Sequence, residues 1–180
     1  MLTLIDLTRP MTERGLSYPG DRPGIVTARR DPADPSTPIA GLSHLALHVG
    51  THMDAPLHFI PGAPDIASTP IAVLRAILLR TRERAIPARI LPATPIEGCA
   101  VLFDTGWSVG PESRAYFECF AHLSPELARA LVSRGAALVG IDTPSADAPD
   151  AAPDYPAHRI LLGAGIPIVE GLSNLGQLPD

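Results

Sequence analysis

Lysine is absent from this chain, and all 14 basic residues are arginine. A phosphate-binding P-loop and Schiff-base chemistry both require a lysine, so both are excluded. Cysteine is scarce. Cys99 and Cys119 form no CxxC pair, which excludes a cysteine-based zinc finger or a disulfide framework and fits free thiols in a reducing compartment. The net charge of −5 is spread along the chain without a basic block. Nucleic acid and anionic membranes are therefore not expected partners. The apolar runs are short and broken by Pro or charge, and the first residues lack a basic segment. Neither a membrane span nor a signal peptide is expected, and the cytoplasm is the default location.

Proline, in contrast, is abundant, with 21 in 180 residues. Placed in connections, so many prolines predict short elements and long ordered loops rather than a helical bundle. The length suits one domain over 1–180 that buries roughly 70% of its unfolded surface. Strands are expected at Leu2 to Leu7, Leu42 to Val49, Ile77 to Leu79, Ala100 to Phe103, Ala137 to Ile141 and Ile166 to Val169. Pro167 confines the last of these to an edge or a strand start. Tyr18-Pro19-Gly20-Asp21 reads as a type II turn, and Asp31 to Thr37 as a loop. Helices are expected from Ser68-Thr69-Pro70 through Leu74, over Pro111 to Phe120, and over Pro125 to Arg134. The last of these has Ser124 as N-cap, Pro125 at the first position and Gly135 beyond its end. The fold class is α/β: a mixed, barrel-like sheet flanked by short helices.

The segment from His48 to His58 carries three imidazoles and a carboxylate in eleven residues. His48, His52, Asp54 and His58 are separated by even numbers, so in an extended chain they share a face. Gly50 and Pro56 supply bends. Imidazole with carboxylate is the ligand mix of zinc, manganese or iron(II). A zinc-protease helix would need Glu after the first His, where Val49 stands. A loop of merely solvated histidines does not fit the apolar Leu45, Leu47, Val49, Met53, Leu57 and Phe59 around them. Distant donors are His158, in Tyr155-Pro156-Ala157-His158-Arg159, and Glu170, which ends a strand just before Gly171. His44 and His122 have no comparable partners and read as structural or surface residues.

With these residues the chain resembles the metal-dependent "cyclase" family of bacterial kynurenine formamidases (arylformamidases) and isatin hydrolases. His48 to His58 fits its HxGTHxDxPxH signature at every fixed position. The resemblance extends over Ile5-Asp6-Leu7, Pro19-Gly20-Asp21, Asp104-Thr105-Gly106-Trp107, Gly140 to Asp147, and the pair His158 and Glu170. It implies one metal on His48, His52 and Asp54, and a second shared by Asp54 with His158 and Glu170. Two Zn2+ ions per chain, or Mn2+, are thus expected. His58 would be the proton donor and acceptor, and Tyr18 would contact substrate where kynurenine formamidases carry Trp. The family usually continues beyond the point matching Asp180 with further strand structure, whose lack would expose a sheet edge. A homo-oligomer, most simply a dimer, is expected by the same resemblance.

The chemistry implied is hydrolysis of a small aryl amide such as N-formylkynurenine. Bound zinc lowers the pKa of its water to about 7, and two ions can hold hydroxide and carbonyl oxygen together. His58, with an ordinary pKa near 6.5, can pass the proton to the leaving amine. Asp142 or Asp147 could orient a ligand imidazole or cap the Thr143-Pro144-Ser145 turn. The alternatives are an isatin-like cyclic amide or lactone hydrolase, a non-catalytic metal-containing binding module, and a serine hydrolase. The last would use Ser108 in Gly106-Trp107-Ser108-Val109-Gly110, with Asp142 or Asp154 and then His158.

Overall fold

A computed structural model describes residues 3–10, 18–20, 25–30, 33–34, 36, 38–44, 46–70, 72–109 and 114–179, with backbone only for 25–30 and 38–44. The strands are β1 (Ile25–Arg30), β2 (Pro38–His44), β3 (His52–Asp54), β4 (Ala76–Arg80), β5 (Ala85–Ile86), β6 (Ala100–Asp104), β7 (His122–Leu123), β8 (Leu138–Ile141) and β9 (Ile168–Glu170). Among the described residues two α-helices, α1 (Pro125–Ser133) and α2 (Pro156–Gly163), accompany them.

The central sheet has the order β3-β9-β8-β6-β4. Four of its strands run parallel, and β3 pairs antiparallel to β9. β1 with β2 and β5 with β7 form separate two-stranded ladders. The mixed α/β sheet expected from the sequence is thus present. Barrel closure is not among the described pairings. No described helix is long and apolar enough to cross a membrane.

Every residue of β6 is buried, as a central parallel strand covered on both faces should be. Its alternation splits two apolar layers. Val101 and Phe103 join Val139, Ile141, Leu127, Leu131 and Leu161 beneath the helices. Ala100 and Leu102 face Leu172 and Leu175 on the other side. Burying a side chain such as Phe103 contributes about 1.5–3 kcal/mol. Where the strands come closest there is room only for glycine: a Cβ on Gly140 would lie 2.6 Å from Leu102 and 2.8 Å from Leu172.

Helix α1 starts as expected. The Ser124 hydroxyl accepts from the Leu127 amide, Pro125 stands at the first position, and Gly135 follows at φ +72°. Several expectations are corrected. Residues 3–10 form no strand; the segment is tied instead to the C-terminal region, the Leu7 carbonyl accepting from the Ser173 amide. The strand expected over Leu42 to Val49 ends at His44, and His48 lies in the following turn. Among the described residues 69, 70 and 72–74 no helix forms; a 3-10 turn at Ile66–Ser68, capped by Asp65, includes Ser68 instead, and residue 71 lies outside the described residues. Of the helix expected over Pro111 to Phe120, a 3-10 turn at Arg114–Phe117 forms, while 111–113 lie outside the described residues. Pro167 stands just before β9, an internal strand, which satisfies the strand-start alternative. Gly20, at φ +101°, has the backbone the type II turn requires, and Asp21 lies outside the described residues.

Candidate metal centre

The centre is assembled where β3 joins the sheet beside β9. His52 pairs directly with Glu170, and Asp54 follows two residues along. Period two puts these side chains on one face and turns Met53 to the other. His52 Nε2 lies 3.4 Å from Glu170 Oε2. The even spacing read from the sequence therefore describes a strand only for His52 and Asp54. His48 arrives from the preceding turn, and His58 ends a 3-10 turn at Pro56–His58.

The Gly50-Thr51 pair locks that turn. A Cβ on Gly171 would sit 2.6 Å from the Gly50 carbonyl oxygen, so the turn lies flat on the end of β9. The Thr51 hydroxyl donates to the Gly171 carbonyl at 2.6 Å and accepts from the Arg9 amide at 2.7 Å.

His158 comes from α2 and is buried. Asp147 accepts from the Ala157 and His158 amides at 2.7 and 3.0 Å, capping the helix, and from His158 Nδ1 at 2.7 Å. A carboxylate only accepts, so Nδ1 carries a proton, and Nε2 is the nitrogen that would give up its own proton to a metal. That Nε2 lies 3.2 Å from both Asp54 Oδ2 and Glu170 Oε1. His52 is fixed likewise, its Nδ1 against the Gly50 carbonyl at 3.2 Å.

The result is a set of buried imidazole nitrogens and carboxylate oxygens facing one another. Asp54 Oδ2 and His52 Nε2 are both buried without a hydrogen-bond partner. An isolated buried charge is costly unless a counter-charge compensates it. Electron-pair donors facing one another across about 3 Å fit a divalent cation, and the nitrogen–oxygen chemistry fits zinc or manganese. Two three-donor groups share Asp54: His48, Asp54 and His58, and His52, Asp54 and Glu170, each with ligand atoms within 4.8 Å of one another. The resemblance implied another division, with His52 beside His48 and His58 kept apart. Register explains the difference, because His52 faces Glu170 across the ladder.

The electrostatics agree with a cation-seeking centre. Burial disfavours charge on His158, but Glu170, Asp147 and Asp54 outweigh it and hold its pKa well above the usual value. Burial also opposes ionisation of Glu170, yet His158 and His52 keep its carboxyl below the usual range. For His58, burial dominates and lowers the pKa, so its ring is neutral near pH 7. A cavity of about 390 Å³ opens over these groups, lined also by Tyr18, Phe59, Ser145 and Tyr155.

His122 lies on β7, outside this cluster, and the side chain of His44 is outside the described residues. Asp142 or Asp147 is expected from the sequence either to orient a ligand imidazole or to cap the Thr143-Pro144-Ser145 turn; of the two, Asp147 touches a histidine of the centre. Sequence reasoning missed α2 as a helix, although Pro156 at the first position was a usable signal. The Ser108 alternative loses its histidine: both His158 nitrogens face the carboxylates of the centre, and the Ser108 amide and carbonyl bond to Asp142 and Arg9.

Fold and donor set define a mixed α/β scaffold with a candidate metal centre. The Cyclase family model, described as "Putative cyclase", matches residues 5–148. The kynurenine formamidase of Salinibacter ruber is 33% identical over 95% of this chain and 82% of its own length. Among solved structures, a "Potential Metal-Dependent Hydrolase With Cyclase Activity" is 26% identical with a TM-score of 0.78, covering 98% of this chain and 84% of its own. Isatin hydrolase A from Ralstonia solanacearum is 25% identical with a TM-score of 0.78, over 97% and 81%. The chain belongs to the Cyclase family and is a hydrolytic enzyme of that family.

Proposed function

We propose that this enzyme is a metal-dependent amidohydrolase acting on a small aryl amide, with N-formylkynurenine the first substrate to test. The observation that carries this reading is the convergence of Asp54, Glu170, His52 and His158 beneath a cavity, with Asp54 Oδ2 and His52 Nε2 left unpaired. The kynurenine formamidase relative supports the amide class. We assign metal binding to His48, His52, Asp54, His158 and Glu170, with Zn2+ the expected ion, Mn2+ the alternative, and two ions per chain.

A divalent metal held there supplies Lewis acidity, activating water and polarising the amide carbonyl. Asp147 and the Gly50 carbonyl engage Nδ1 of His158 and of His52, so the inward Nε2 atoms are the ones that would exchange a proton for a metal. His58 is the proton carrier. It is more exposed than the other donors, lines the cavity, and its Nε2 stands 3.9 Å from Asp54 Oδ2. Neutral at pH 7, it takes a proton from the attacking water and returns it to the leaving nitrogen as the C–N bond breaks. Tyr18, which lines the cavity and stands edge-on to His48 at 6.4 Å, supports the aryl ring. The working form is a cytoplasmic homodimer, which light scattering of the purified protein checks.

The test is formate release from N-formylkynurenine before and after chelation. Turnover that chelation abolishes and zinc or manganese restores supports the reading. A cyclic amide is the second reading, favoured by the likeness to isatin hydrolase A. Ring opening of isatin without formate release would select it. Metal binding without hydrolysis of either would leave a binding module.

A further inference from the structure

The chain is poor in aromatics, with one Trp, three Tyr and four Phe, eight in all. Phe103 and Phe120 are core residues with no exposure. The other six are gathered at the centre. Tyr18, Phe59 and Tyr155 line the cavity. Phe117 backs Tyr18 at 5.6 Å, Tyr116 backs Phe117 at 5.2 Å, and Trp107 follows at 6.4 Å.

Tyr155 stands out among them. It holds φ +41° and ψ 62°, the left-handed region, at the N-cap of α2. For a bulky residue this backbone costs about 1–3 kcal/mol. The position needs no tyrosine for capping, since its side chain makes no cap bond and Asp147 holds the helix amides. The conformation instead sets the ring over the cavity, edge-on to Phe59 at 5.4 Å and to His158 at 6.3 Å. Strain of this kind persists where the surroundings use it.

We propose that Tyr155 is a specificity-determining residue whose ring, with Phe59 and Tyr18, walls a slot that selects aryl over alkyl amides. The proposal rests on the amidohydrolase reading and names the substrate feature it recognises: a flat π-face carried on the amide nitrogen. Edge-to-face contact rewards an aromatic ring beyond its buried area, whereas an alkyl ring of equal size gains only the area.

The experiment compares formanilide with N-cyclohexylformamide in the metal-loaded wild type, Tyr155→Phe, Tyr155→Leu and Tyr155→Gly. In parallel, calorimetry on the chelated protein compares binding of formanilide and N-cyclohexylformamide, which reads the slot without turnover. The aryl-to-alkyl ratio of kcat/KM should fall about three- to tenfold in Tyr155→Leu and Tyr155→Gly, chiefly through KM. Tyr155→Phe should keep it. Glycine suits the left-handed backbone, so Tyr155→Gly should lose selectivity without a lower Tm. An unchanged ratio in both variants, or an equal loss on both substrates with a lower Tm, would overturn the proposal and leave Tyr155 a structural residue. Absence of wild-type turnover would instead count against the amidohydrolase reading. The preference for formanilide in calorimetry would then still decide the role of Tyr155.

Discussion

Asp54, at the end of β3, and Asp142, just after β8, are both buried carboxylates of the central sheet with β9 between their strands, and their surroundings are opposite. Asp142 accepts from the Thr105 amide and hydroxyl and from the Trp107 and Ser108 amides, at 2.6 to 3.3 Å. Burial raises its pKa above the usual value despite these donors, but its oxygens are met by the protein itself and pin the loop after β6. Asp54 has no such donors for Oδ2, which faces imidazole nitrogens and a second carboxylate. A buried acid satisfied by amides is a structural fastener. One left facing other electron-pair donors is waiting for a cation.

Substitutions at both positions should split stability from activity in opposite directions. Asp54→Asn is the largest expected effect. Partners that merely orient a metal ligand are worth ~10–100-fold, and a donor shared by both groups should exceed that. Turnover should drop by more than about 100-fold with the chelated protein's Tm unchanged, by kinetics and thermal melts. If the chelated protein melts far lower, Asp54 is a fastener too and the contrast is broken.

Asp142→Ala should do the reverse. Two or more buried amides lose their acceptor, costing about 2–4 kcal/mol in urea unfolding, while the folded fraction retains its metal. Asp147→Asn lies between, because Asp147 both caps α2 and orients His158. Metal affinity should weaken ~10–100-fold, and stability should fall by about 1 kcal/mol. Competition with a chromogenic chelator measures the first loss and denaturant melts the second. Ser124→Ala is the small control. It removes a cap from α1, a helix that carries none of the donors, and should cost about 1 kcal/mol with affinity and turnover unaltered. Any change in metal affinity there would mean that the core and the centre are coupled.

The same contrast explains what the sequence disclosed. The ligand types within His48 to His58 crowd into a short span, so their convergence could be read locally. Glu170 could be read as a strand end beside Gly171, and α1 from its cap, proline and glycine. The β1–β2 ladder was missed because no alternation in Ile25 to Arg30 marks a half-buried strand. Helix α2 was missed because its cap, Asp147, lies nine residues before Pro156 and its N-cap position holds a tyrosine in a left-handed backbone. The choice between Asp142 and Asp147 was equally non-local. Both follow the same strand, and only the fold shows which one meets His158.

The most direct test of the central claim is metal content. The protein is stripped with a chelator, dialysed against equimolar traces of Zn2+ and Mn2+, and assayed by elemental analysis with thermal melts. The account predicts one to two ions per chain retained by the wild type, a higher Tm on loading, and loss of both in Asp54→Asn. A wild-type protein that holds no ion and melts at the same temperature with or without metal would contradict it.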